Sequence, residues 1–420
     1  MINRYRCGGR QFGSVGAILL LLALTLLAAC SDKAPSGSGQ PAVPGTGSPP
    51  AAAETPSSSP TPTPAQPLVF EATLLAIGDI MVHSPQLPAY HDADSDRYDF
   101  TEWFARVAPI FREGDWVVGN LETPLAGADL KYSGYPRFNA PAELADALRE
   151  AGVQLVSTAN NHSMDRGFAG IQRTLEHVRK SGIVPYGTAA STEEAERLVT
   201  TERNGIKMGF LAYTYGTNGI PIPADKPFAV SLIDTDRMAR EIGRLREAGV
   251  DVVTVSVHFG AEYQRLPNDE QQRIVRSAIG AGADIVLGSH PHVVQPYDIV
   301  KVSAPDSSLG EERSGVVIYS LGNFISNQSG NWKDVGLIFG VHLKKIQQPD
   351  GSSVTTWERI SLVPTWVHIV GQGRNRHYTV LPLRQTLESR DDPTLKDADY
   401  ASMQKMLDGI EKHLHTYQKG

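Results

Sequence analysis

The sequence predicts an α/β fold in which β-sheets are covered by α-helices. From Leu68 onward, short apolar runs alternate with amphipathic stretches, and two of these stretches end at a glycine, Gly152 and Gly182. Alternation of hydrophobic strands with helices is typical of sheets that have helices on their faces. With 420 residues, of which 41% are hydrophobic, the chain can bury a sizeable core.

The individual elements follow from this alternation. The predicted strands span residues 69–80, 153–160, 207–215, 251–260, 284–290, 315–325, 335–346 and 358–370. The predicted helices span residues 141–152, 168–182, 235–249, 268–282 and 397–417. Because the C-terminal third is rich in strands and poor in helices, it favours a second, more antiparallel sheet in the same body.

Charge and cysteine content exclude several classes of function. The formal net charge is −7, so the chain lacks a basic field for nucleic acid, and no nucleic-acid partner is expected. Its two cysteines are Cys7 and Cys30. Beyond Cys30, therefore, neither a disulfide nor a cysteine nucleophile is possible, and any metal site must use His, Asp, Glu and Asn.

The N-terminus has the pattern of an export signal. Three arginines precede an apolar run from Val15 to Ala29, which at 15 residues is short for a membrane span. The run ends in Leu-Ala-Ala followed by Cys30, which resembles the lipobox of bacterial lipoproteins. We therefore predict a signal peptide over residues 1–29 and lipidation of Cys30. The alternative is an ordinary cleaved signal followed by a chance cysteine.

Residues 30–67 predict a spacer between an anchor and a folded domain. Residues 31–67 contain ten of the 28 prolines, and Val43 is their only large apolar residue. Such a segment cannot bury enough surface to fold, and its proline content makes it semi-rigid. The expected location is outside the cytoplasm, with the lipid on Cys30 in the membrane and the domain, residues 68–420, held away from it.

Residues able to bind a metal recur where a predicted strand ends and a loop begins. Open α/β sheets place their binding sites at such points. The residues are Asp79, Glu122, Asn161, His162, His258, His290 and His292. Taken singly, each has an ordinary interpretation as a turn former, a loop cap, an exposed loop residue or a hydrogen-bonded core histidine. The His-Pro-His segment at 290–292 is the strongest single signal, because its two imidazoles can enter one cavity.

The number of these residues favours a metal site with two ions. Counting His83, which follows Asp79, five of the 12 histidines lie in these strand-end loops. Imidazoles, carboxylates and an Asn amide suit Mn, Fe or Zn better than calcium. Six or more ligands exceed the four of a closed zinc site and fit two divalent transition metals with a bridging carboxylate. A nearby histidine can then protonate a leaving group.

The motifs resemble those of the CapA family, the poly-γ-glutamate capsule biosynthesis proteins. GDIM, GNLETPL, ANNHSMDRG, HFGAEY, GSHPHVVQP and YSLGNFI occur in that family's order between Leu74 and Ile325. The family belongs to the calcineurin-like metallophosphatase superfamily. The resemblance therefore implies a metallophosphatase-like four-layer α/β/β/α sandwich with its motif core in residues 74–325.

The resemblance also implies roles for individual residues. It implies the following ligands: Asp79 and His292 for a first metal, Glu122 as the bridge, and Asn161, His258 and His290 for a second metal. His162 is implied as the catalytic acid, and Asp165 from the same motif is predicted to be catalytic with it. Predicted substrate-binding residues are Arg137, Glu262 and Asn323. An exposed loop arginine with no role is the alternative for Arg137.

Three positions depart from the superfamily pattern. Met81 stands where the superfamily has a metal-binding His, so His83 is predicted as a substitute ligand if it reaches the cavity. Glu122 replaces a bridging Asp and is one methylene longer. Ser163, rather than Glu, follows the Asn-His pair. These departures weaken the first metal site and make phosphatase activity less secure than metal binding.

Three hypotheses about function remain compatible with the sequence. The first is an accessory lipoprotein for synthesis or export of an anionic poly-γ-glutamate polymer, in association with membrane-bound synthetase subunits. The second is a metal-dependent hydrolase or transferase at the cell surface, acting on a phosphoester or a γ-glutamyl amide. The third is a binding lipoprotein without catalysis. The first two are mutually compatible.

Overall fold

The computed structural model describes residues 66–417. The predicted signal peptide, Cys30 and nearly all of the predicted spacer lie outside the described residues. The chain divides by its contacts at Thr63 and Pro64, so the unit Pro64–Gly420 contains every element described below. Within residues 66–417, no helix combines the length and the apolar character that a membrane span needs.

Strands and short or long helices alternate along most of this unit. The strands are β1 (Leu68–Ile80), β2 (His91–Asp92), β3 (Arg97–Tyr98), β4 (Trp116–Leu121), β5 (Leu155–Ser157), β6 (Val184–Tyr186), β7 (Val199–Arg203), β8 (Ile206–Thr214), β9 (Val252–His258), β10 (Ile285–Ser289), β11 (Tyr297–Val302), β12 (Arg313–Ile318), β13 (Asn323–Ile325), β14 (Val335–Gln347), β15 (Ser353–Val370) and β16 (His377–Pro382). The helices are α1 (Gln86–Ala89), α2 (Ala108–Phe111), α3 (Glu143–Ala151), α4 (Gly167–Lys180), α5 (Thr192–Glu196), α6 (Thr235–Glu247), α7 (Asp269–Gly280), α8 (Leu383–Ser389) and α9 (Asp397–Leu414).

Two large sheets organise these elements. The first has the order β16-β15-β14-β1-β4-β5-β6, and β13 pairs with the end of β1. Strands β1, β4, β5 and β6 are parallel, whereas β14, β15 and β16 run antiparallel to their neighbours. The second sheet has the order β11-β12-β10-β9-β8-β7, with a parallel centre and antiparallel edges. In both sheets the parallel strands bring their carboxyl ends to one edge.

Three apolar clusters hold the layers together. Leu74, Trp116 and Phe339 of the first sheet pack with Phe210 and Ile285 of the second, which places the two sheets face to face. The opposite face of the first sheet packs on α3, and the opposite face of the second packs on α6 and α7. The predicted four-layer α/β/β/α arrangement is thereby confirmed.

The division of strands between the sheets differs from the prediction. The C-terminal strands β14, β15 and β16 do not form a second sheet but extend the first, because β1 pairs with β14 over ten residue pairs from Leu68 to Ile77. The second sheet comes from the middle of the chain instead. The predicted strand 315–325 is two strands in different sheets, separated at Gly322, whose φ of +67° belongs to the left-handed region.

Gly78 allows the end of β1 to approach the loop before β13. A Cβ atom at Gly78 would lie 1.9 Å from the carbonyl oxygen of Gly322. We therefore expect Gly78→Ala to lower the free energy of unfolding by about 2–4 kcal/mol, because backbone must move next to Asp79. The measurement is thermal or urea unfolding. Gly243→Ala on α6 is the matched control, since no atom lies within 4 Å of its Cβ position. Equal stability of the two variants would contradict this account.

Candidate metal centre

The carboxyl ends of the parallel strands of both sheets meet at one buried cluster of polar side chains. Each sheet supplies residues from the end of a strand or the loop directly after it. The first sheet supplies Asp79, Asn120, Glu122, Asn161 and His162, and the second supplies His258, His290 and His292. All eight side chains are buried. The structure therefore brings together every predicted ligand except His83.

Contacts between the two sheets fix the cluster. His292 Nδ1 donates to Asp79 Oδ2 at 3.1 Å and to Asn323 Oδ1 at 3.0 Å. Because its Nδ1 is used in this way, His292 directs Nε2 toward Glu122, with 3.8 Å between Nε2 and Oε1. His258 Nε2 lies 3.0 Å from Asn161 Oδ1 and 3.5 Å from Glu122 Oε1. Both sheets thus present nitrogen and oxygen ligand atoms to a single point.

Glu122 is the centre of this arrangement and lacks a hydrogen-bond partner. Its side chain is 0% exposed, and within residues 66–417 neither carboxylate oxygen has a hydrogen-bond donor. Two groups of candidate ligands share it: Glu122, His290 and His292 form one, and Asp79, Glu122 and His258 form the other. In each group the ligand atoms lie within 4.8 Å of one another. A buried carboxylate without a donor is costly unless a cation binds it, so these residues fit a metal ion.

The electrostatics of the cluster favour a bound cation. Burial, followed by the charge of Asp79, raises the pKa of Glu122 well above its ordinary value. Burial also lowers the pKa of His290 to about 4 and that of His258 well below its ordinary value. The imidazoles are therefore neutral at pH 7, which is the form that binds metal. His290 Nδ1 is buried without a hydrogen-bond partner and is available as a ligand atom.

The backbone at the two histidines that follow β10 is strained. His290 has a φ of +100° and His292 a φ of +57°, in a region that residues other than glycine seldom adopt. The two residues flank Pro291 just after the strand, and a nitrogen of each lies close to a Glu122 oxygen. Retained strain of this kind is common at functional sites.

His162 lies beside the cluster and is oriented by Asp165. Its Nδ1 donates to Asp165 Oδ2 at 2.7 Å, and the same oxygen accepts the Phe138 backbone N–H at 2.7 Å. The Phe138 ring packs edge-on against the His162 ring, with 4.6 Å between centroids. His162 therefore has a fixed tautomer whose Nε2 is free for proton transfer. Asp165 thus lies where it orients His162, and its predicted catalytic role stays a prediction.

A cleft opens above these residues. It has a volume of about 270 Å³ and is lined by Met81, His83, Tyr135, Phe138, His162, Glu262, Tyr263, His292 and Gln328. Tyr135 is 73% exposed and Tyr263 is 41% exposed, so two tyrosines stand at its mouth. The cleft gives a ligand access to His162 and His292 together.

The predicted substrate-binding residues have different places in this cleft. Glu262 lines it, so that prediction fits the geometry. Arg137 is exposed in the loop that carries Tyr135 and does not line the cleft, so its role stays a prediction. Asn323 is not among the residues that line the cleft, and its predicted role stays a prediction. Its amide donates to Gln328 Oε1 and the Lys333 carbonyl, and its oxygen accepts from His292, so Asn323 orients His292.

His83 lines the cleft but belongs to neither group of candidate ligands. Burial, with the neighbouring His292 and His162, lowers its pKa to about 4. The predicted substitution of His83 for a ligand at the Met81 position therefore stays a prediction. Met81 is itself buried and lines the cleft.

Two residues of the site were not predicted from the sequence. Asn120 donates to Asp79 Oδ1 at 2.8 Å and accepts from Ser157, so it holds Asp79 in place. Tyr215 packs on His290, with 4.7 Å between ring centroids, and covers the cluster on that side. Asn120 lies in the same strand-end motif as Glu122 and could have been found there. Tyr215 carries no comparable signal in the sequence.

The fold and the cluster define an α/β protein with a buried histidine and carboxylate centre that could hold metal ions. Residues 73–328 match the family described as "Bacterial capsule synthesis protein PGA_cap". This match covers more than half of the 420 residues. The chain therefore belongs to the bacterial capsule synthesis protein family, as the resemblance to CapA proteins implied.

Two relatives carry capsule-related names. The chain is 27% identical to "Capsule biosynthesis protein CapA" of Bacillus anthracis over 65% of this chain and 64% of that protein. It is 28% identical to "PGA biosynthesis protein CapA" of Bacillus subtilis (strain 168) over 64% of this chain and 67% of that protein. The first match spans just under two thirds of the relative's length.

Similar solved structures share little sequence with this chain. Calcineurin-like phosphoesterase YfkN from Bacillus subtilis has a TM-score of 0.40 and 16% identity, covering 70% of this chain and 91% of that chain. NAD nucleotidase from Haemophilus influenzae has a TM-score of 0.41 and 11% identity, covering 82% of this chain and 60% of that chain.

Proposed function

We propose that this protein performs a metal-dependent step in the synthesis or export of an anionic capsule polymer of γ-linked glutamate. The step is hydrolysis or transfer at a phosphoester or a γ-glutamyl amide bond. The site would hold two divalent transition metals (Mn, Fe or Zn), with Glu122 between them. The polymer assignment is supported by the family and by the names of the two CapA relatives.

The observation that carries the metal-dependent step is the environment of Glu122. Its two buried oxygens have no donor within the described residues, yet candidate ligands approach it from both sheets. Two ligand groups sharing one carboxylate are what a bridged pair of metals requires. When bound, such a pair supplies an activated water and stabilises charge on the attacking and leaving oxygens.

The residues around the centre supply the remaining parts of the reaction. Asn120 and Asn323 hold Asp79 and His292 through hydrogen bonds. When its ring carries a proton on both nitrogens, His162 would protonate the leaving group from Nε2, while Asp165 accepts the Nδ1–H. The cleft positions the substrate between His162 and His292.

We further propose that the protein works outside the cytoplasm as a lipoprotein anchored through Cys30. This location rests on the apolar run before Cys30 and on the proline-rich residues after it. The proposed partners are the membrane, membrane-bound polyglutamate synthetase subunits and the anionic polymer.

The metal is tested first by its content in the full chain, purified in detergent. We expect about two transition metals per chain and a marked loss in the double variant His290→Ala/His292→Ala. The matched control is His177→Ala on α4, which does not line the cleft and should keep the metal. No metal above background, after incubation with manganese, iron and zinc, would contradict the proposal.

The role in capsule formation is tested in the native bacterium. Deletion of residues 31–420 should abolish extracellular polymer, and the full chain should restore it. Restoration by the full chain but not by His290→Ala/His292→Ala would place the metal step in the pathway. Unchanged polymer after the deletion would contradict the capsule role.

A second candidate is binding of the polymer without turnover. It is favoured by Met81, which stands where the superfamily has a ligand and presents a thioether to the cleft. If this candidate is right, the chain should bind polymer but release no product from phosphoesters or γ-glutamyl amides. A chain with two metals and measurable turnover would exclude it.

A further inference from the structure

The imidazole of His83 is held in the wall of the cleft by three contacts. Its backbone N–H donates to Gln86 Oε1 at 2.7 Å. Its Nδ1 accepts the backbone N–H of Asn327 at 3.3 Å. Its ring packs edge-on against Phe138, with 5.2 Å between centroids. Asn327 and Phe138, from two distant parts of the chain, thus fix the side chain, and Gln86 fixes the backbone of His83.

These contacts determine which ring nitrogen carries the proton. A backbone N–H can only donate, so Nδ1 of His83 must accept and has no proton. A neutral imidazole with an unprotonated Nδ1 carries its hydrogen on Nε2. Because the ring lines the cleft, this Nε2–H is available to a ligand there. A protonated nitrogen cannot bind a metal, which agrees with the absence of His83 from both ligand groups.

His83 and His162 face the same cavity from either side of one aromatic ring. Phe138 packs against both imidazoles, at 5.2 Å from His83 and 4.6 Å from His162 between centroids. His292, the third imidazole of the cavity, is tied to Asp79 and directs its other nitrogen toward Glu122. A reacting group next to the metal ligands would therefore have His162 and His83 beside it.

We propose that His83 is a substrate-binding residue whose Nε2–H donates a hydrogen bond to an oxygen of the substrate's phosphoryl group. This inference rests on the proposed function, because it assumes that the reacting group occupies the cleft next to the metal ligands. A fixed donor stabilises charge that develops on such an oxygen without reorganising during the reaction. His83 would then complement His162, since one donates to a retained oxygen and the other protonates the leaving group.

The test uses the full chain in detergent, loaded with manganese, and inorganic phosphate as the probe. We expect His83→Ala to keep the parent's metal content and to bind phosphate about 10-fold more weakly, because one hydrogen bond to an anion is lost. His83→Gln, whose Nε2 can place a donor in a similar position, should recover part of the affinity. His177→Ala should match the parent in both measurements.

Each alternative outcome has a separate meaning. Loss of metal in His83→Ala, with an unchanged unfolding temperature, would make His83 a ligand and overturn the inference. Unchanged phosphate affinity in His83→Ala, or no phosphate binding by the parent, would also overturn it. A parent chain that binds no metal would contradict the proposed function instead, and comparing phosphate affinity in the metal-free proteins would still test His83.

Discussion

Replacing Glu122 by glutamine is expected to remove metal binding and, with it, the destabilising effect of a chelator. In the parent, metal at about 1,000 times its dissociation constant adds about 4 kcal/mol to the free energy of unfolding. Glu122→Gln lacks the carboxylate shared by both ligand groups, so it should gain almost nothing from added metal. The measurement is thermal unfolding of the full chain with manganese and with a chelator.

Without metal, we expect the variant rather than the parent to be the more stable protein as pH rises. Burial and Asp79 raise the pKa of Glu122, so the folded state holds a proton that the unfolded state releases at an ordinary pKa of about 4.3. Stability from this group is present below that ordinary pKa and is lost as pH rises through the raised folded pKa. Glutamine cannot ionise. Metal-free Glu122→Gln should therefore become more stable than the metal-free parent as pH rises from about 5 to 8.

The comparison between parent and variant isolates Glu122 from the histidines. His258 and His290 have lowered pKa values, so their contribution is lost as pH falls below about 6.5, but both proteins contain them. Asp165→Asn is a matched control, because it also neutralises a buried carboxylate and leaves both ligand groups intact. It should keep the metal and the stabilisation by metal. A Glu122→Gln protein that binds two metals would exclude Glu122 as the bridge.

The sequence predicted which residues form the site better than it predicted which strands pair in the sheets. Asp79, Glu122, His258 and His290 were found because parallel strands end at one edge of a sheet, so strand-end polar residues converge. The strands were found because their apolar runs are long. Periodicity does not predict which strands pair. The first seven residues of β14 are all buried, so their pattern does not favour one sheet over the other.

Roles that depend on a contact with a distant part of the chain could not be predicted from the motifs. His83 was predicted as a ligand because it lies two residues after Met81, but its proton is placed by the backbone N–H of Asn327, 244 residues later. Asn323 was predicted to bind substrate, whereas in the structure its oxygen accepts a hydrogen bond from His292. In both cases a contact between distant residues decides the role, and local spacing cannot predict such a contact.

Removal of the His162 imidazole is expected to abolish turnover while leaving the metal centre complete. His162 belongs to neither ligand group, so His162→Ala should retain the parent's metal content. Loss of a general acid lowers kcat by about 100- to 10,000-fold. The measurement is a rate assay on phosphoesters and γ-glutamyl amides, run beside metal analysis. His177→Ala is the control for loss of a histidine elsewhere in the chain.

Asp165→Asn distinguishes a proton-transfer role from a packing role for this pair. Asp165 Oδ2 accepts both His162 Nδ1–H and the Phe138 N–H, and asparagine can keep the Phe138 bond while offering His162 either an oxygen or an NH₂ group. If the NH₂ faces Nδ1, that nitrogen must accept and cannot carry a proton, so the ring no longer becomes the doubly protonated acid that its carboxylate partner stabilises. A fall in kcat with a changed pH profile, an unchanged KM and full metal content would support proton transfer.

Equal kcat in Asp165→Asn and the parent, beside an inactive His162→Ala, would mean that His162 acts without its carboxylate partner. Equal kcat in His162→Ala itself would remove His162 from the mechanism and leave the metal ligands as the only chemical groups required.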